Sequence, residues 1–365
     1  MHPCCHNGNE DCRTAAIRRM VVVEVVAMTE WTDRADVVVI GGGAAGLNAA
    51  LMLARARRSV VVIDAGAPRN APAENVHGLL GREGTPPGEL LARGRAEVRQ
   101  YGGRVVDGTV AAAVRNGDGF AVTLADGRSM RARRLLVTTG LVDELPDVPG
   151  LRERWGRDVL HCPYCHGWEV RDQAVGVLAS GPMSVHQALM FRQWTADVTF
   201  FTHTMPAPTP EQVEQFAARG IRVVDGQVAA VEVVDDRLVG VRMDDGRLVG
   251  RDALVVATRM VARAGFLADL GLHAVEHASG VGEHVPADPT GRTAVPGVWV
   301  AGNVTDLTAQ VGAAAAAGAT AAAHINADLV AEETAVAVAA LRAHSAPPAP
   351  ASRPRQPAPS AGTRR

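Results

Sequence analysis

Lysine is absent from the sequence, so all 37 basic residues are arginines. Schiff-base catalysis and a phosphate loop built on a lysine are therefore excluded. Cysteine is scarce: positions 4, 5, 12, 162 and 165 are its five occurrences in 365 residues. So few, so unevenly spaced, do not make the disulfide framework of a secreted domain, and they point to a reducing compartment and a cytoplasmic location. Long apolar runs are missing too. MVVVEVVAM is short and interrupted by Glu24, and the Ala-rich GAAAAAGATAAAHI is also below spanning length, so neither a signal peptide nor a membrane span is expected. Charge of neither sign dominates. The formal net charge of -2 gives nucleic acid and anionic membranes no electrostatic hold, and neither is expected as a partner.

What is present suits a globular α/β chain: 47% hydrophobic and 21% charged residues, with 38 glycines. The length exceeds what one core usually supports, so two domains are expected. Residues 1–34 lack clean periodicity and read as a disordered extension. Their HPCCH with Cys12 fits no standard zinc spacing, and no metal site is expected. The Pro-, Ala- and Arg-rich text of 342–365 cannot bury enough apolar surface to fold and reads as a solvated tail.

Between these ends the patterning is regular. DVVVI, GGGAAG, LNAALMLARARR and SVVVID read as strand, glycine turn, helix and strand. GFAVTLADGRSM alternates around a DG turn, and RRLLVTTG gives another buried strand. A second β-α-β pattern runs over 173–203, hairpin text follows to 258, and GVWVAGN leads into an Ala-rich helix.

Gly41, Gly43 and Gly46 form G-x-G-x-x-G between a strand and a helix, the context in which the pattern points to a dinucleotide. Gly41 serves the tight turn, Gly43 the close approach of a pyrophosphate, and Gly46 the packing of helix on strand. Asp64 ends the second strand, where a carboxylate accepts from a ribose hydroxyl. The motif does not separate FAD from NAD.

HCPYCHGWE, residues 161–169, sets Cys162 and Cys165 two residues apart with a histidine on each side. Structural zinc requires four ligands, and no second C-x-x-C or matched histidine pair lies nearby. A glutaredoxin-like site requires the dithiol at a helix start, whereas His166 and Gly167 lead into strand-like text, so Cys162–Cys165 reads as a loop. Both readings stay open beside a third, a dithiol joined to a bound cofactor. Trp155, Tyr164 and Trp168 surround it in sequence, as substrate surface or as core.

In its order of glycine loop, TTG, C-x-x-C, second β-α-β and terminal AGNV, the chain resembles the low-molecular-weight thioredoxin reductase family over about residues 35–331. The resemblance implies an α/β fold of two Rossmann-like three-layer domains. An FAD-binding domain, 35–150 and 259–331, is interrupted by a smaller nicotinamide-type domain, 151–258. It implies FAD held by Gly41, Gly43, Ala45, Gly46 and Asp64, by Thr139 and Gly140, and by Gly302, Asn303, Gln310 and Val311. Asn303 departs from the family's usual aspartate. By the same resemblance Cys165 lies against the flavin ring and Cys162 exchanges with substrate. Neighbouring imidazolium groups are expected to favour the thiolate. His166 takes the place of the family's acid and is expected to transfer protons, with an ordinary surface histidine as the alternative; His161 reads as packing. A homodimer is implied.

The second glycine loop departs further. Ala179, Gly181 and Ser184 stand where the family has G-x-G-x-x-A, Pro182 has no N–H to offer, and FFTHT replaces the His-Arg-Arg run that grips a 2′-phosphate, leaving His203. NADPH is thus an uncertain cofactor. CPYCHGWE and this degraded loop resemble the gliotoxin- and holomycin-type dithiol oxidases, which implies oxidation of a small-molecule dithiol with dioxygen as acceptor. The alternatives are NADPH-dependent reduction of a thioredoxin-like protein and a non-catalytic flavin redox sensor.

Overall fold

The computed structural model describes residues 34–345. The N-terminal extension with its HPCCH cluster, and the chain after Ser345, lie outside the described residues. Arg34–Ile40 (β1), Val60–Asp64 (β2), Arg104–Asp107 (β3), Val110–Asn116 (β4), Gly119–Leu124 (β5) and Ser129–Val137 (β6) form one sheet in the order β3-β2-β1-β6-β5-β4. Val37, Val38 and Val39 are fully buried, as a parallel strand covered on both faces requires. Ala44–Arg55 (α1) connects β1 to β2, and Pro87–Gln100 (α2) connects β2 to β3.

The chain then leaves this sheet through Leu141–Glu144 (β7). After the short helix Leu151–Arg154 (α3) come Val159–Leu160 (β8), the short helix Pro163–His166 (α4), Val175–Leu178 (β9), Ser184–Phe191 (α5), Val198–Phe201 (β10), Pro210–Arg219 (α6) and Arg222–Val224 (β11). Val228–Val234 (β12), Arg237–Met243 (β13) and Leu248–Gly250 (β14) make an antiparallel meander, and Ala253–Val256 (β15) completes a parallel sheet ordered β11-β10-β9-β15-β8. Arg259–Ala262 (β16), Val275–Glu276 (β17) and Gly282–His284 (β18) join β7. Val298–Val300 (β19) returns to the first sheet and pairs in parallel with β6, Val298 against Leu135. The mixed α/β class with two β-α-β units is the one expected.

Two compact units are distinguished, one ending at Asn326 and one starting at Ala327. The long helix Val311–Ser345 (α7) passes through the boundary, so the tail expected from residue 342 begins in helix. The described part of the second unit is helical, with Val336 and Leu341 exposed. Among the described residues no helix is long and apolar enough to cross a membrane.

The CPYC stretch differs from expectation. It is a single helical turn, with Cys162 at the N-cap and Pro163 in the first turn, where a missing N–H costs nothing. The Cys162 carbonyl accepts from His166 N at 3.2 Å, and the Pro163 carbonyl from Gly167 N at 2.7 Å. Gly167 is obligatory here, since a Cβ would lie 2.4 Å from the Pro163 oxygen and 2.7 Å from the Trp194 ring. The absence of a helix start is therefore no argument against a glutaredoxin-like loop.

Candidate active site

Backbone crowding shapes the first glycine loop. Gly41 lies at φ +109°, and a Cβ there would come within 2.4 Å of the Thr138 carbonyl oxygen. One on Gly46 would stand 2.0 Å from the Gly41 carbonyl oxygen. Gly43 is different: its φ of -80° is ordinary, and a Cβ would meet nothing within 4 Å. It provides no side-chain cap to α1, whose first-turn N–H groups and positive dipole end remain for an anion. Thr138 Oγ1 braces the loop from behind, donating to the carbonyls of Ile40 at 3.1 Å and Gly41 at 2.8 Å. Asp64 is buried, accepts from Gly42 N at 3.1 Å and pairs with Arg95 on α2.

A cavity of about 1350 Å³ begins at this loop. It is larger than the roughly 300–1,000 Å³ of ordinary small-ligand pockets, enough for a dinucleotide with space beside it. Of the residues singled out in the sequence, Gly41, Gly43, Ala45, Asp64, Thr139, Gly140, Gly302, Asn303, Gln310, Val311, Cys162, Cys165 and His166 line it; Gly46 lies behind it, packed against Gly41. Thr139 Oγ1 donates to the Arg263 carbonyl at 2.6 Å. Gly302, at φ +77°, lies so close to α1 that a Cβ would be 3.0 Å from Ala45 Cβ. Asn303 Nδ2 donates to the carbonyls of Asp306 and Ala309, both at 2.9 Å, holding the turn that leads to Gln310 and α7. A carboxylate has no N–H to donate to those carbonyls, so the departure to asparagine has a local structural reason.

Both thiols are free and half-buried, so burial does not distinguish an exposed partner from a shielded one. Their acidities do. The Cys165 thiol donates to the Cys162 sulfur, and despite the opposing effect of burial this bond, with the N–H groups of Cys165 and Tyr164 and the charge of Arg69, lowers Cys162 to about 7. The same bond, and burial, push Cys165 up. The expected imidazolium neighbours are not found: burial lowers both His161 and His166, keeping the rings neutral near pH 7. The cation that acts on the dithiol is Arg69, far away in sequence and bonded to Asp143 at 2.7 and 2.8 Å. Burial raises the Asp143 carboxyl, but Arg69 and a 2.7 Å bond from Thr258 outweigh it and hold the pKa low. No local pattern marks Arg69 or Asp143 in the sequence.

His161 Nδ1 lies 3.1 Å from the Val256 carbonyl oxygen, Gln187 donates to the His161 carbonyl at 3.0 Å, and the residue also lines the cavity. His166 Nδ1 is buried with no hydrogen-bond partner among the described residues. Tyr164 is 62% exposed, edge-on to Trp194, and Trp168 is 65% exposed beneath Arg171, so neither is core. Tyr164 and Trp155 line the cavity.

The second loop is closed from within. Ser184 Oγ accepts from Ser180 N at 3.1 Å and from Gly181 N at 3.2 Å, using the N–H groups a pyrophosphate would require. His203 Nδ1 accepts from Val228 N at 3.1 Å, and burial holds the ring neutral. Among the described residues no group of histidine, cysteine and acidic side chains could hold a metal ion.

The profile of the family described as pyridine nucleotide-disulphide oxidoreductase matches residues 35–323. Thioredoxin reductase tcpT of Claviceps purpurea is 37% identical over 192 residues, 50% of this chain and 60% of that protein. Thioredoxin reductase sirT of Leptosphaeria maculans is 37% identical over 148 residues, 39% of this chain and 45% of that one. The chain spans about half the length of the curated relatives it matches. Among solved structures HlmI superposes with TM-score 0.81 at 47% identity, covering 85% of this chain and 97% of HlmI. An oxidoreductase from Agrobacterium tumefaciens superposes with TM-score 0.76 at 36% identity, covering 81% and 99%.

Proposed function

This chain belongs to the pyridine nucleotide-disulphide oxidoreductase family, and from that premise we propose that it is an FAD-dependent thiol-disulfide oxidoreductase that oxidises a dithiol, with dioxygen as acceptor. The observation that carries the reading is the shared cavity, which joins Cys162 and Cys165 to the Gly41–Ala45 loop and the Gly302–Val311 turn. The residues fit FAD: Gly43 opens on the cavity, α1 offers uncapped N–H groups, and the space exceeds that of a small ligand. FAD, when bound, supplies the two-electron acceptor.

The chain's own part is thiol exchange. From the enzyme disulfide, a substrate thiolate attacks the Cys162 sulfur, the Cys162–Cys165 bond breaks, and Cys165 takes a proton. The second substrate thiol then attacks the substrate sulfur bound to Cys162, closes the substrate disulfide and expels Cys162 as thiolate. A thiol with pKa about 7 is the better leaving group for that step, and the high-pKa Cys165 is the better proton holder. His166, neutral and unpartnered at Nδ1, is the proton-transfer group.

The internal cap on the second loop favours oxidation over NADPH-driven reduction, since two of the required donors are occupied. The names of the tcpT and sirT relatives favour reduction of a thioredoxin-like protein by NADPH, the second reading. The domain limits proposed are 35–150 with 259–331 for FAD and 151–258 for the insertion; the pairing of β19 with β6 supports them. The cytoplasmic location and homodimer belong to the same proposal. Mixing the purified flavoprotein anaerobically with NADPH or with a dithiol separates the readings. Bleaching by dithiol alone is expected; prompt bleaching by NADPH overturns the direction, and no reaction with either leaves the redox sensor.

A further inference from the structure

Helix α5 turns one row of side chains to the cavity. Met183 at its N-cap, then His186, Gln187 and Met190, follow the i, i+3, i+4, i+7 spacing of one helix face, and all four line the cavity together with Cys162 and Tyr164. The core of this unit uses a different face: Ser184, Ala188 and Phe191 are buried. Met183 is 36% exposed and Met190 is only partly buried, so the two methionines present apolar surface that the core does not take up. Gln187 fixes the row beside the dithiol. Its side-chain nitrogen donates at 3.0 Å to the carbonyl of His161, the residue next to Cys162 in the chain. Met183 and Met190 stand about one helical turn to either side of Gln187, roughly 6 Å and 4.5 Å along the axis.

The row carries no carboxylate and no guanidinium, and the ionised side chains elsewhere on the cavity wall are committed. Asp64 pairs with Arg95, Arg69 with Asp143 and Arg259 with Glu276. Arg263 donates to the Ala67 carbonyl at 2.9 Å, and its own carbonyl accepts from Thr139, on the side of the first glycine loop. Ser184, by occupying the N–H groups of Ser180 and Gly181, takes from the start of α5 two donors that an anionic ligand would use. A charged group brought against the row would lose its water and gain no counter-ion, whereas an apolar body gains by burial. Methionine, unbranched and polarisable, moulds to such a body. We propose that Met183 and Met190, with Tyr164, form the substrate-binding wall, and that the substrate is an uncharged, apolar small-molecule dithiol. The inference rests on the oxidoreductase reading above and names the substrate class of that same site.

Dihydrolipoamide and dihydrolipoate are the probes, two dithiols that share one carbon chain and differ in whether it ends in an uncharged amide or a carboxylate. Anaerobic bleaching of the flavoprotein is followed against probe concentration at neutral pH. Dihydrolipoamide should half-saturate the rate at about a tenfold lower concentration than dihydrolipoate. Met183→Glu and Met190→Glu should each raise the half-saturating concentration of dihydrolipoamide about tenfold, roughly the worth of two buried methylene groups, with the effect on half-saturation and not on the limiting rate. Met190→Arg should reverse the order of the two probes, which a general loss of packing would not do. The visible flavin spectrum shows whether each variant is folded, and Met183, being exposed, tolerates substitution if position 190 does not. Equal half-saturation of the unaltered protein by the two probes, or variants that shift both probes alike, would overturn the wall. Bleaching by reduced thioredoxin where neither probe acts would overturn the small-molecule class. Failure of the unaltered protein to bleach with any dithiol, dithiothreitol included, would instead overturn the oxidoreductase reading.

Discussion

The hydroxyl oxygen of Ser184 lies 3.1 Å from the backbone nitrogen of Ser180 and accepts its hydrogen bond, closing a phosphate loop from inside. Gly181 N donates to the same oxygen. NADPH must displace this acceptor and gains no cation at His203 in return, so titration of the oxidised protein should give a dissociation constant of about 1 mM or weaker, near -4 kcal/mol. Ser184→Ala should lower stability by about 1 kcal/mol in thermal melts, because two donors lose their acceptor. Micromolar NADPH binding would refute the account.

Alkylation of the reduced protein should report a thiolate with a midpoint near the 7 that Cys162 reaches. Cys165→Ala removes the S–H donor and should move the midpoint up, toward the ordinary value of about 8.5. Cys165→Ser retains an O–H donor and should move it less. Equal midpoints in all three proteins would show that Cys165 does not stabilise the thiolate.

Gly43 and Gly46 separate cofactor from fold. Gly46→Ala drives a methyl into a backbone carbonyl and should cost about 3 kcal/mol, the upper end for overpacking, with or without flavin. Gly43→Ala puts the methyl into open cavity. It should leave the melting temperature of flavin-free protein unchanged while weakening flavin binding about tenfold, or 1.4 kcal/mol. Unaltered flavin affinity would mean that the pyrophosphate does not approach there.

Asn303→Asp restores the family's usual residue and should nonetheless harm the protein. It replaces an amide that donates to Asp306 and Ala309 with a carboxylate facing their oxygens, at a cost of about 2 kcal/mol. The new carboxyl would have a raised folded pKa, so the loss should grow as pH rises above about 4. Melts at pH 3 and pH 7 that show equal loss would contradict this.

What the sequence determined by itself is local. G-x-G-x-x-G, C-x-x-C and the alternating hairpins are legible because turn sterics, helix starts and strand burial act within a few residues, and their order along the chain indicates the α/β fold. The CPYC turn was misread on that same local scale, since His166 and Gly167 look like an exit to strand while the single turn is fixed by packing against Trp194. Only the tertiary structure decided the electrostatics and the state of the second loop. Arg69 acts on the dithiol and His77 meets Glu169 through folding of distant segments, whose sequences carry no periodicity that would announce it, while Ser184 bonds its own loop only three and four residues back, in a rotamer that the residue pattern does not specify. A side chain's charge and hydrogen-bonding capacity are written in its identity, but which groups feel them depends on distances and burial that exist only once the chain has folded.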